Sequence, residues 1–324
     1  MSNVARTFST LIQREIWEHR SGFIWTPLVI GGVLLVFLVL GAGSAFFWQL
    51  KIEGADAVAE GALKLAETQV PADKLRLGVD AFLWSTALMW QSVLFIVLFF
   101  YCIGSLYDDR RDRSVLFWKS MPVSDLETVA SKVVSACFVA PLFMIAAMAI
   151  GQIVLLLAGG LIVIAHGGSA WKLVWAHTNP FPVWSQFIAV QGVQALYLLP
   201  LYGWLMLASA FARGKPFLWA VLPPVVFAIM ESFMAFTTKM TFSKVIWEFI
   251  LSRFAAGVAP ITFQANFDDD SSMQAGFAGT RFAANFSDVL GRLGTADLWI
   301  GVGIGLAFLA GAVWLRRYRD ESTS

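Results

Sequence analysis

An all-α polytopic membrane protein is the fold class that this sequence predicts: six transmembrane helices, an N-terminal interfacial helix, and an outer helical segment between spans five and six. Three observations predict it. Of 324 residues, 58% are hydrophobic and 14% charged, with mean hydropathy +0.70, too apolar for a soluble protein of this length. The apolar residues gather into six runs, each long enough for the ~20 helical residues that cross about 30 Å of hydrocarbon. The 28 Phe and 14 Trp suit helices packed in lipid with aromatic belts at both interfaces.

Residues 1–21 read as an amphipathic helix. Val4, Phe8, Leu11, Ile12, Ile16 and His19 fall on one face, while Arg6, Gln13, Arg14 and Glu18 tend to the other. Such a helix lies in the membrane interface or, by the same periodicity, packs in solvent against a partner. The segment is too long for the n-region of a cleaved signal peptide, and the run behind it too long for an h-region, so the first span is expected to be retained.

The six runs are Trp25 to Phe47, Phe82 to Leu106, Val133 to Ile164, Gln186 to Phe211, Phe217 to Thr237 and Leu298 to Leu315. Lipid leaves backbone groups no partner outside the segment, so each uninterrupted run is expected to be a helix. Pro141, Pro200 and the pair Pro223 and Pro224 remove helical hydrogen bonds and are expected to kink spans three, four and five. Lys and Arg concentrate in four short segments: before span one (Arg6, Arg14, Arg20), in the 107–132 loop, in the turn of Arg213 and Lys215, and after span six (Arg316, Arg317, Arg319). Positive-inside bias places these segments and both termini in the cytoplasm. Outside are expected Gln49 to Ala81, Ala165 to Ser185 and Thr238 to Asp297. The whole chain is one transmembrane domain.

The 107–132 loop is a dense mixed-charge segment between two apolar runs. Asp108, Asp109 and Asp112 alternate with Arg110, Arg111 and Arg113, and Val115, Leu116, Phe117 and Trp118 lead on to Pro122. Ser124 followed by Glu127 is a capping box that opens a new helix. An apolar patch among charges suits a docking surface for a soluble partner; an ordinary topology-setting loop has the same charges.

In the outer segment, Val245, Ile246, Phe249, Ile250 and Phe254 recur at helical spacing over a stretch too short to span, as in an interfacial or re-entrant helix. Asp268, Asp269 and Asp270 do not start a calcium loop, because Met273 and Gly279 stand where Gly and Glu are needed. Within the fifth run Glu231 is an acid well inside a span, where a carboxylate costs at least about 2.5 kcal/mol. It lines a translocation pathway or gate, or, protonated, bonds one helix to another. Gly301 and Gly305 permit close helix approach, expected within the subunit. Cys102 and Cys137 fall inside apolar runs and are expected to be reduced packing residues.

Enzyme constellations fail. His19, His166 and His177 form no H-E-x-x-H, and no G-x-S-x-G elbow is present. Near Gly214 and Lys215, Pro216 replaces the Ser or Thr of a phosphate loop. ATP hydrolysis by the chain alone is therefore not expected. No basic tract suits nucleic acid.

The stretch DDRRDRSVLFWKSMPVSDLETVASK, Asp108 to Lys132, resembles the inner-loop signature of membrane permease subunits of ABC transporters of the ABC-2 class, and the layout of the spans resembles that family over nearly the full chain. The resemblance implies that Asp108, Arg110, Arg111, Arg113, Pro122, Ser124, Glu127 and Lys132 belong to the region coupling the permease to an ATPase. It implies a separate nucleotide-binding ATPase subunit that carries ATP and Mg, no cofactor on this chain, and a second permease copy or homologue completing the pathway. It also implies a bacterial cytoplasmic (inner) membrane location among membrane lipid, and export rather than import. Two features depart from the family: the long first outer segment, and the twenty or so residues joining spans three and four. The residues themselves leave two alternatives, a membrane scaffold or sensor recruiting a cytoplasmic partner, and an ATP-independent secondary transporter. The depth of Glu231 weighs against the first, and the lack of a sequence repeat against the second.

Overall fold

The computed structural model describes residues 3–49, 61, 64–112, 123–238, 244–259, 263–264, 283–284 and 286–319. Helices α1 (Asn3–Glu18) and α2 (Thr26–Gln49) are joined through a π turn at Ser21–Trp25. Helix α3 (Ala72–Arg111) follows Pro71, whose fixed φ suits a helix start. Helices α4 (Asp125–Val134) and α5 (Ala140–Ala165) are continuous through a second π turn, Ser135–Val139. Short α6 (Ala170–Leu173) precedes α7 (Phe181–Tyr197) and α8 (Leu199–Phe211). Then come α9 (Pro216–Thr238) and α10 (Lys244–Val258). A two-residue antiparallel pairing of β1 (Phe263–Gln264) with β2 (Ala283–Ala284), short α11 (Phe286–Gly291) and α12 (Ala296–Arg319) complete the chain.

The architecture is all-helical apart from that pairing. Among the described residues four helices are long and apolar enough to cross a membrane: α3, the α4–α5 unit, α9 and α12. The chain bends by 66° between α1 and α2, just before the first apolar run, and the fourth run is itself bent by 53° where α7 meets α8, so the number is up to six if each bent pair is one span. Helix α3 has 40 residues, about 60 Å at 1.5 Å per residue. It therefore outruns the apolar stretch Phe82 to Leu106 at both ends and carries the acid-base sequence Asp108 to Arg111 as its last turn.

The prolines act in different ways. Before Pro141 the helix widens, with the N–H of Ala140 bonding to the carbonyl of Ser135; the π turn absorbs the missing donor without ending the helix. Pro200 lies at the start of α8, just past the break at Leu198, and there the expected kink is a full bend. Pro223 and Pro224 lie inside α9, which continues as helix past both.

Close packing depends on small residues. On α12, a Cβ at Gly305 would stand 2.8 Å from the backbone of Leu199 and Pro200, and one at Gly203 would stand 2.7 Å from the carbonyl oxygen of Gly305. The Gly301 and Gly305 stripe thus serves contact within the subunit. Trp90 fills the interior of the bundle, with Gly31 and Gly151 leaving room for its ring. Cys102 and Cys137 are buried free thiols.

Helix α10 ends inside the bundle. Its terminal carbonyls lack helical partners, and Gln194 donates to the carbonyl of Ala256 while Gln91 donates to that of Gly257. Gln191 donates in turn to the side-chain carbonyl of Gln91. Gln91 lies midway along α3, so the end of α10 packs against the middle of that helix. Arg253 anchors it, paired with Asp297 at 3.2 Å and stacked over the Phe249 ring at 3.3 Å. Asp268 to Asp270 lie outside the described residues.

Candidate functional site

At the end of the bundle where α1, the last turn of α3, α4 and the last turn of α12 meet, the chain buries a cluster of opposite charges. Its construction begins with the helix cap. The Ser124 hydroxyl accepts from the N–H of Glu127, and the Glu127 carboxylate accepts from the N–H of Ser124 at 2.8 Å. The capping box fixes where α4 starts. Two turns on, Thr128, Val129, Ser131 and Lys132 face the interior, and Lys132 is 0% exposed.

The Lys132 ammonium meets Glu15 Oε1 at 2.9 Å and Asp109 Oδ2 at 3.5 Å. Glu15 and Asp109 are 1% and 2% exposed. Glu15 also accepts from the Tyr101 hydroxyl at 2.8 Å, and the His19 ring lies 3.8 Å from the same carboxylate. Asp109 is held further by Arg14, 3.1 Å from its Oδ1, and by Arg316, 3.1 Å from its Oδ2. Arg316 bonds with its Nε to Asp125 at 3.0 Å, and Arg14 pairs with Glu18 at 3.1 Å. One buried carboxylate, Asp109, therefore holds cations from three other helices.

Burying these charges costs several kcal/mol per ion, offset only when pairing is close and the lone pairs are filled. The pairing is close here, with most contacts near 3 Å, and removing one partner from such a set is strongly destabilising. Four segments distant in sequence are thus joined by bonds that do not lengthen cheaply. Pulling any one of them displaces the other three.

The residues assigned from the sequence divide by position. Lys132 is central to the cluster. Arg110 turns inward beside it, donating to the carbonyls of Ser209 at 2.6 Å and Ala212 at 2.9 Å at the buried C-terminal end of α8. Ser209 closes the joint by accepting from the N–H groups of Leu106 and Tyr107 with its hydroxyl. Asp108 is half-buried, while Arg111 and Ser124 are exposed. Glu127 is half-buried and engaged in the cap. Arg113, Pro122 and the apolar patch Val115 to Trp118 lie outside the described residues. Glu231, far along α9, is half-exposed and accepts from the indole N–H of Trp247, which ties α9 to α10.

Sequence reasoning named neither Glu15, Tyr101 nor Asp125, and it read Asp109, Arg14 and Arg316 only as loop or topology charges, not as partners. Glu15 has a signal in the sequence. It lies four residues from Leu11, three from Ile12 and four from His19, on the apolar face of α1, where an acid needs a partner. Among the described residues no three His, Cys, Asp or Glu side chains gather as a metal requires. No family model, curated protein or solved structure matches the chain.

Proposed function

We propose that the chain is the membrane subunit of an ATP-driven exporter of the ABC-2 kind, coupled to a separate ATPase through residues 107–132. The observation that carries this reading is the buried cluster. Both flanks of the charged loop, Asp109 before it and Lys132 after it, are bonded to each other, to α1 and to α12.

A soluble motor pressing on the loop tip would act on the two flanks together. Because Asp109 and Lys132 share partners, the load passes to the end of α3, the start of α4, α1 and the end of α12 as one unit. ATP-driven closure then tilts α3 and the α4–α5 unit and opens the cavity to the other side. In this orientation both termini and the cluster are cytoplasmic. Glu231 belongs to the pathway side: large residues in the second half of α9, Ile229 and Phe233, are exposed, and a second permease copy covering that half, away from Arg213 and Lys215, would spare the carboxylate the cost of facing lipid.

The test is recovery of a partner. Native membranes are crosslinked and solubilised, and the chain is captured by a tag after Ser324. A phosphate-loop ATPase in stoichiometric amount, lost or uncoupled in Arg111→Glu/Arg113→Glu, supports the reading. Arg110 is left intact because it holds the end of α8. If no ATPase is captured, or if the variant keeps full coupling, the assignment fails and a scaffold or secondary transporter takes its place.

A further inference from the structure

We propose that the groove between α9 and α12 is a binding site for one anionic glycerophospholipid, with an acyl chain in the groove and the phosphate headgroup held by Arg213, Lys215 and Arg317. The inference needs only that the chain lie in a membrane, and is independent of transport.

Helices α9 and α12 both pack on α8, and the space left between them is a cavity of about 420 Å³ with an entirely apolar lining. Trp204 and Phe211 contribute from α8, Trp219 and Pro223 from α9, and Gly311 and Trp314 from α12. Trp219 and Trp314 are exposed, so the groove opens outward, and Gly311 leaves its wall flat. From Trp204 to Phe211 the helix rises about 10 Å, a large part of the ~15 Å half-thickness of hydrocarbon. The groove therefore has the direction and reach of the upper part of an acyl chain.

One end of the groove is cationic. Arg213 and Lys215 follow Phe211 in the turn to α9, Arg317 follows the last lining residue Leu315, and all three are exposed. Among the described residues none of the three makes an ion pair within the chain, and residues 199–230 contain no acid. The neighbouring Arg316 is committed inward to Asp109 and Asp125. The turn is fixed from within, because Arg110 holds the carbonyls of Ser209 and Ala212. Lys215 sits at φ 50°, a left-handed conformation that is uncommon outside glycine.

The charge pattern selects the occupant. A second copy pairing through this face about a two-fold axis would set the same cations against one another. An anionic headgroup neutralises them, and basic residues beside the hydrocarbon edge attract such lipids.

The experiment uses the full purified chain in mild detergent, titrated with phosphatidylglycerol or phosphatidylcholine of identical acyl chains and read by native mass spectrometry. One phosphatidylglycerol is expected to be retained in preference. Arg213→Gln/Lys215→Gln/Arg317→Gln should bring its affinity down to that of phosphatidylcholine, by roughly fivefold per cation. Gly311→Leu should abolish retention of both lipids by filling the groove; its Cβ would stand 3.2 Å from the end of the flexible Leu207 side chain, which can move aside. Equal retention of the two lipids, an unaffected triple variant, or phosphatidylglycerol retained by Gly311→Leu would overturn the proposal. So would a lipid-free dimer held through this face.

Discussion

Replacing Lys132 by Met removes the cation that stands between two buried carboxylates. Asp109 keeps Arg14 and Arg316, each at 3.1 Å, so the stranded charge is Glu15, left with the Tyr101 hydroxyl and the His19 ring. Breaking a buried pair in this way costs about 3–5 kcal/mol. At roughly 2–3 °C per kcal/mol for a chain of this size, the unfolding midpoint should fall by about 6–15 °C. Glu15→Gln/Lys132→Met removes both charges together, and the neutral amide still accepts from Tyr101. The double variant should recover at least half of the loss, leaving a coupling energy of about 2 kcal/mol between the two positions. The chain carries its own reporter: both cysteines, Cys102 and Cys137, are buried and free. A thiol-reactive dye therefore signals when the bundle opens. Because unfolding in detergent is not reversible, midpoints are compared at one heating rate. A Lys132→Met midpoint within 2 °C of the parent, or a double variant that loses the sum of the two singles, would refute the reasoning.

Other consequences are open to the same instruments. Gly305→Leu places a side chain against the backbone of α8 at Leu199 and should cost at least about 1–3 kcal/mol of overpacking, seen as a lower thiol-dye midpoint; an unchanged midpoint would mean that the helices do not cross there. Gln194→Leu strands the carbonyl of Ala256 at a cost of about 1–3 kcal/mol, and should raise hydrogen exchange in residues 247–258 more than elsewhere. Tyr101→Phe removes a hydroxyl bonded to a buried carboxylate, worth about 1.5–3 kcal/mol, and should have little effect in a Glu15→Gln background. Burial holds the His19 imidazole below its ordinary 6.5, against the pull of Glu15, so the unfolded chain takes up this proton first. Stability from this group is complete above about pH 6.5 and is lost as pH falls toward the folded pKa. With the intrinsic pH dependence of amide exchange divided out, protection in α1 should fall on acidification, and His19→Gln should flatten the response; protection that does not vary with pH would sink the idea.

Much of the framework can be read from single stretches. The capping box at Ser124 and Glu127 involves two residues three apart, and the structure reproduces both of its bonds. The apolar runs mark where helices lie because lipid and helix length enforce the correspondence. The bends were harder. Pro200 marks one, but the 66° turn between α1 and α2 has no proline at its apex, and Pro141 is answered by a π turn. The cluster was least legible because its bonds are long-range: Lys132 and Glu15 are 117 residues apart, and Arg316 and Asp109 are 207 apart. Each charge alone resembles a topology signal or an interface anchor. Arg110 shows the difficulty well, since it sits in a charged run like Arg111 yet caps another helix.

The glutamine seat of α10 bears on how the protein is made. Gln91 and Gln194 belong to helices synthesised before residues 244–258, and their amides find their carbonyl partners only when that segment arrives. Until then the Gln91 and Gln194 amide groups lack these acceptors, and Arg253 in its turn waits for Asp297. A ribosome paused after α9 would therefore leave an assembly with two interior amide groups short of acceptors. The packing of α3 against α7 is therefore completed by one short helix made after both of them.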